Sequence, residues 1–188
     1  MNQIEIETSS NCETLYYKGN IDLLDYDSIG VVGTRKPSRE SIEWTEKEVS
    51  KLAQEKVIIS GLALGIDKIA HQTAINSNGF TIAILPSGFD NIYPLMHKKL
   101  VKDILKNDGL ILTKYEPHKK ANRYKFIQRD RLIAELSDEL LVPQFKVKSG
   151  TMHTVRFARA LNKNLYIQNA DYEGNKSILK VYKNAFPL

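Results

Sequence analysis

The stretch Val57-Ile58-Ile59-Ser60-Gly61-Leu62-Ala63-Leu64-Gly65-Ile66-Asp67-Lys68-Ile69-Ala70-His71 decides how the chain is read. Its first three residues are a short apolar run of strand type, which Ser60-Gly61 breaks. Gly65 and Asp67 then open a helix that buries Ile66, Ile69, Ala70 and Ala74 at helical spacing. A strand that turns through glycine into a helix leaves backbone N–H groups open at the positive end of the helix dipole, a ready site for an anion such as phosphate. Taken alone, the stretch has a second reading, in which Gly61 and Gly65 only permit a tight turn.

The same strand–loop–helix unit recurs on both sides of it. Apolar runs at 28–32, 81–85, 110–113, 139–142 and 165–167 read as further strands. Helices are expected from 37 or 38 to about 56, from about 96 to 107, from about 126 to 136, from 151 to 161 and over 177–184, and Asn78-Gly79 closes the helix that follows Gly65. Residues 1–27 read as a lead-in packed on the main domain, with a short strand and turn at 15–20 and a helical turn at 21–26. Strands that are continuous apolar runs and alternate with helices predict an α/β fold: a Rossmann-like, doubly wound, mostly parallel sheet with helices on both faces, forming one domain over 1–188. In that fold every strand-to-helix loop emerges at the carboxyl edge of the sheet, where ligands bind. Loops 33–38, 60–67, 86–94, 115–126 and 144–151 should share one side.

Composition bounds the partner. The chain has 188 residues, 42% hydrophobic and 26% charged, as in an ordinary globular domain, with a formal net charge of +5 that leans towards a polyanion. No apolar run is long enough to span a bilayer and no signal-peptide pattern is present. The single cysteine, Cys12, rules out an internal disulfide and a cysteine-cluster metal site, and a cytoplasmic location is the default expectation.

Gly33-Thr34-Arg35-Lys36-Pro37-Ser38 combines a turn glycine, a guanidinium, an ammonium and a hydroxyl near a helix start, and an arginine can fork two phosphate oxygens. Lys148-Ser149-Gly150-Thr151 has the same make-up at a later helix start. With the Ser60–Gly65 turn this makes three such loops on one edge, which favours phosphate binding over three solvated turns. Residues 114–131 add seven cations against two carboxylates, with Tyr115, Tyr124 and Phe126 interleaved. Cations track a phosphate backbone and aromatic faces stack on bases, a combination suited to single-stranded nucleic acid; Tyr124 and Phe126 also fit as core residues.

Several chemistries are not written in the chain. It has no Gly-x-x-x-x-Gly-Lys-Ser/Thr, no Gly-x-Gly-x-x-Gly after the first strand, and no Gly-x-Ser-x-Gly elbow. Ser60 ends the second strand where a dinucleotide site wants an acid. His71, His97, His118 and His153 are scattered. Asp67 and His71, four apart, read more simply as a cap with a local hydrogen bond than as a metal or proton-transfer pair. No catalytic constellation, metal site or cofactor is expected.

In chain order, Gly33–Ser38, Ser60–Asp67 with Ala70-His71, Gly88 with Tyr93-Pro94, Phe126 with Arg129-Asp130-Arg131-Leu132-Ile133-Ala134 and Leu136-Ser137-Asp138, and Lys148–Thr151 resemble the motifs of the DprA/Smf family of DNA-processing proteins. The resemblance covers roughly 16–167. It implies a Rossmann-like homodimer that binds single-stranded DNA in a basic pocket, protects incoming strands during natural transformation and helps load the RecA recombinase. Carried over by motif, it makes Arg35 the main phosphate ligand, with Lys36 and Ser38 beside it and Ser60 and Gly61 as further donors. Arg123 or Lys125 supplies the cation before the aromatic, Phe126 stacks on base or sugar, and Arg129 and Lys148 complete the set. The expected dimer surface lies around 151–167 and 177–184. The chain departs from the family at Asp130, where an amide is usual, and at Gln168-Asn169-Ala170, where Pro-Gly commonly follows the sixth strand. The winged-helix and helical N-terminal domains that members often carry are not expected here. Two rivals stand beside this reading: a Rossmann-like nucleotide or nucleoside-phosphate binding protein or hydrolase, and a scaffold acting through protein partners.

Overall fold

The computed structural model describes residues 2–8 and 12–188. One nine-stranded sheet runs through it. Its parallel part comprises β3 (Ser28–Val31), β4 (Val57–Ser60), β5 (Thr81–Leu85), β6 (Leu110–Thr113), β7 (Glu139–Val142), β8 (Leu165–Ile167) and β9 (Ala185–Pro187). A hairpin of β1 (Asn2–Glu7) and β2 (Cys12–Gly19) joins antiparallel to β6, giving the order β1-β2-β6-β5-β4-β3-β7-β8-β9.

The continuous apolar runs have a simple cause: alternate residues of each strand serve opposite faces. In β4, Val57 and Ile59 join the cluster that contains Leu132, Ile133 and Val155, whereas Ile58 packs with Val49, Ala70 and Ala74. In β5, Ile82 and Ile84 face the first group, while Ala83 and Leu85 pack with Leu100 and Ile104. One face is thus covered by α1 (Arg39–Leu52), α2 (Ile66–Asn76) and α3 (Lys98–Lys106). The other is covered by α4 (Arg123–Leu136), α5 (Thr151–Ala160) and α6 (Glu173–Val181). The six expected strands and the two-faced winding agree with the sequence reading.

Three expectations need correction. The lead-in keeps its expected helical turn, a 3-10 helix at Ile21–Asp25, but its strand is longer and belongs to a hairpin that extends the sheet; positions 1 and 9–11 of that expectation lie outside the described residues. The helix expected from 126 starts at Arg123, because the side chain of Asn122 accepts a hydrogen bond from the Lys125 N–H at 2.9 Å and caps it there. The last helix lies earlier than 177–184. Asn175, fully buried, donates to the carbonyls of Pro143 and Gln168, which anchors α6 and frees 185–187 to pair with β8.

The winding reverses between β3 and β7. From β3 the chain steps outward through β4, β5 and β6, then returns to lay β7 on the other side of β3. The loops after those two strands therefore part at the carboxyl edge and leave a crevice, the usual ligand position in such sheets. The split is braced. The Thr34 N–H donates to the Gln144 carbonyl (2.7 Å), the Ser38 N–H to Gln144 Oε1 (2.8 Å) and Thr151 Oγ1 to the Gly33 carbonyl (3.0 Å).

Candidate nucleic-acid interface

The crevice has a volume of about 780 Å³ and draws its walls from loops 33–38, 60–67 and 144–151 and from the first turns of α4 and α5. Four of the five expected loops meet there. The fifth, 86–94, reaches the adjoining cleft through Tyr93 and Pro94.

Phe126 stands at the entrance, half-buried in the first turn of α4. The guanidinium carbons of Arg35 and Arg129 lie 5.6 and 5.7 Å from its ring centroid, and Tyr93 meets it edge-on at 5.4 Å. These cation–ring contacts, worth roughly 0.5–1 kcal/mol where exposed, aim both guanidiniums. Arg35 and Lys36 are exposed on the crevice wall, and Arg123 and Lys146 face it from α4 and from loop 144–151. Arg35, Lys36, Arg123 and Phe126, four of the residues expected at the site, therefore come together.

The floor is differently built. Arg129 is buried. It donates to the Gly61 carbonyl and, at 2.9 Å, to Asp130 Oδ1, and it lies 3.9 Å from Asp67 Oδ2. A Cβ on Gly61 would collide with this guanidinium, so only glycine permits the approach. Asp67 in turn accepts hydrogen bonds from the N–H groups of Gly61 and Ala63. The anion expected at the Ser60–Gly65 turn is thus already present as the chain's own carboxylate. Burial pushes both Asp67 and Asp130 above the usual carboxylate range, with Arg129 opposing the shift.

The other six expected ligands are committed to contacts within the chain or lie off the crevice wall. Ser60 is fully buried, and its hydroxyl donates to the Val31 carbonyl at 2.6 Å. Gly61 has both backbone groups committed, the carbonyl to Arg129 and the N–H to Asp67. Arg129 sits beneath the crevice as a tie between loops. The hydroxyl of Ser38 caps α1 by accepting from the Ser41 N–H, and it contacts the Tyr172 hydroxyl at 2.7 Å. Lys125 turns back over the Tyr115 ring, 4.5 Å from its centroid, and donates to the Lys120 carbonyl. Lys148 is exposed but lies off the crevice wall, which Lys146 occupies instead. His71 does not bond Asp67. Its Nδ1 contacts Thr81 Oγ1 at 2.7 Å, and burial drives its pKa down to about 3.

A Rossmann-like domain with a cationic, aromatic-lipped crevice at the reversal of its sheet is the class that fold and site define. The model of the DNA recombination-mediator protein A family matches residues 3–182, and the chain belongs to that family. It is 41% identical over 140 residues to the DNA processing protein DprA of Streptococcus pneumoniae, covering 74% of this chain and 49% of the relative. It is 38% identical over 165 residues to the protein Smf of Borreliella burgdorferi, covering 87% and 52%. The chain thus spans about half the length of the curated relatives it matches. Among solved structures, DNA processing protein A of Helicobacter pylori, described by its single-stranded DNA binding mode, superposes with a TM-score of 0.90 at 31% identity, covering 99% of this chain and 89% of that one. The molybdenum cofactor binding protein of Rippkaea orientalis shares the fold, with a TM-score of 0.61 at 18% identity over 86% of this chain and 88% of that one.

Proposed function

We propose that this domain binds single-stranded DNA in the crevice and serves recombination by holding and protecting the strand while the RecA recombinase is loaded. It works as a homodimer, in the cytoplasm, by binding and without catalysis. The observation that carries the reading is the pairing of Arg35 with Phe126: an exposed guanidinium fixed beside an accessible ring offers one phosphate ligand and one stacking surface at a single nucleotide's spacing. Arg123, Lys36 and Lys146 extend the cationic wall along a backbone. Among the described residues no element projects from the domain to enter a major groove, so single strands are preferred to duplex and sequence preference is weak.

Arg35→Ala tests this directly. In a gel shift with labelled oligothymidine it should lose most of its affinity with an unchanged melting temperature, while Arg35→Lys recovers only part, because a point charge cannot fork two oxygens. Unchanged affinity in Arg35→Ala, or equal affinity of the wild type for duplex at matched salt, overturns the reading.

A further inference from the structure

Arg35 borders a second depression. On the far side of loop 33–38, between α2 and α3, a groove of about 620 Å³ begins at the same guanidinium and continues past Leu64, Lys68, Met96 and Lys99. The two depressions are joined by the small cleft between Arg35, Leu64, Tyr93 and Phe126. Three cations, Arg35, Lys68 and Lys99, line the groove against one carboxylate, Asp103. Both lysines are exposed, and neither takes part in an ion pair described for the protein.

The apolar surface here is also unusual. Leu64 (39% exposed), Tyr93 (47%) and Met96 (71%) come from two loops and line this groove and the cleft that leads to it. Isolated exposed apolar residues need no explanation, but a cluster beside a binding crevice marks a contact surface. Tyr93 offers the first base an aromatic face at the joining cleft, and the aliphatic Leu64 and Met96 beyond it give apolar contact to further bases, with cations alongside for the phosphates.

We infer that the groove between α2 and α3 is a second track for the same DNA strand, which leaves the crevice past Tyr93 and lays its next nucleotides over Leu64 and Met96, with Lys68 and Lys99 on its phosphates. This rests on the single-stranded DNA reading of the crevice and adds the strand's path to it. Continuity decides the occupant. Arg35 belongs to both depressions, so a strand whose phosphate sits on Arg35 has one end pointing into the groove, and the groove's charge matches it.

The test is a length series. The full 188-residue chain is titrated with oligothymidines from about 4 to about 16 nucleotides, the span of site sizes usual for such proteins. It is compared with the double variant Lys68→Glu/Lys99→Glu and with Met96→Asp, all at exposed positions. The milder pair Lys68→Ala/Lys99→Ala guards against a folding effect, which a melting curve reads separately. The wild type should gain affinity as the oligonucleotide outgrows the crevice. The variants should bind the shortest oligonucleotide that the wild type binds with nearly the same affinity, and should lose about tenfold of the gain on lengthening. The same length-dependent gain in the variants overturns the second track. So does a variant that keeps the gain but changes its sedimentation, since the groove would then be an interface between copies. Absence of binding by the wild type at every length overturns the crevice reading itself.

Discussion

At the residue scale, Phe126 is the sharpest division between site and core. It is half-buried, and its neighbours are the guanidiniums of Arg35 and Arg129 and the edge of Tyr93, while Leu132 and Ile133 supply the apolar anchor of α4. Phe126→Ala should therefore cost about 1–3 kcal/mol of DNA binding, read by fluorescence anisotropy. Its melting temperature should shift far less than the roughly 3–5 kcal/mol stability loss of a buried Phe→Ala would produce. Asp130 gives a second test. Its carboxyl lines the crevice proposed to take phosphates and faces Arg129 from α4, Asp67 from α2 and His153 from α5. Its pKa is raised, so on acidification it gains a proton before an ordinary carboxylate would, and the crevice loses a negative charge. Affinity for DNA should rise as pH falls through that range. Asp130→Asn should bind more tightly at neutral pH and lose this part of the pH response, whereas a pH profile parallel to that of the wild type would show that the carboxyl is remote from the strand. For folding the sign is the same: a carboxyl whose folded pKa is raised favours the native state more as pH falls.

Elements position these residues, and Asn122 is the clearest case. Its side chain stops α4 from fraying at the turn that carries both Arg123 and Phe126. Asn122→Ala should cost about 1 kcal/mol of stability and, by loosening that turn, weaken DNA binding as well; Asn122→Asp should retain the stability, since it caps equally well. Equal binding by Asn122→Ala would mean that crevice contacts alone order the turn. This scale also shows what the sequence carries legibly. The parallel strands are readable because burial on both faces writes them as unbroken apolar runs, and loops that follow such strands are obliged to share an edge. The β1–β2 hairpin is harder: Ile4 and Ile6 alternate with Glu5 and Glu7 over a short span, and β2 has only Leu15 deeply buried. Strand β9 has no pattern of its own, because three residues at a sheet edge are placed by β8 and by the Asn175 anchor. At the site, residue type singled out Arg35, Arg123 and Phe126, which line the crevice. It could not tell an arginine that meets a ligand from one that meets a carboxylate, as Arg129 does. Only packing decides that.

For the molecule as a whole, the two edges of the sheet differ. The β1 edge exposes Glu5 and Glu7, charges that discourage another strand from adding there. At the β9 edge Phe186, Leu188 and Val181 are exposed together, with the Tyr166 ring 6.0 Å from that of Phe186. Two-fold pairing of the proposed homodimer along this edge would cover these apolar side chains. Phe186→Asp should sediment as a monomer at concentrations where the wild type is a dimer; an unaltered dimer would move the interface elsewhere. Among the described residues no helix is long and apolar enough to cross a membrane.

The tie between Asp67, Gly61 and Arg129 has a calorimetric consequence. Because these contacts are made within the chain itself, the floor of the crevice needs no ligand to hold it together. Titration calorimetry should then find a small negative heat-capacity change, set by the apolar area that bases cover at Phe126 and its neighbours and without the large contribution of a coupled folding event. The entropy lost on association should then belong mainly to the sugar–phosphate torsions of the strand. Adenine runs, which stack on themselves in solution, must break that order first, whereas thymine runs begin without it, so the stiffness of the nucleic acid governs which strand is held more tightly.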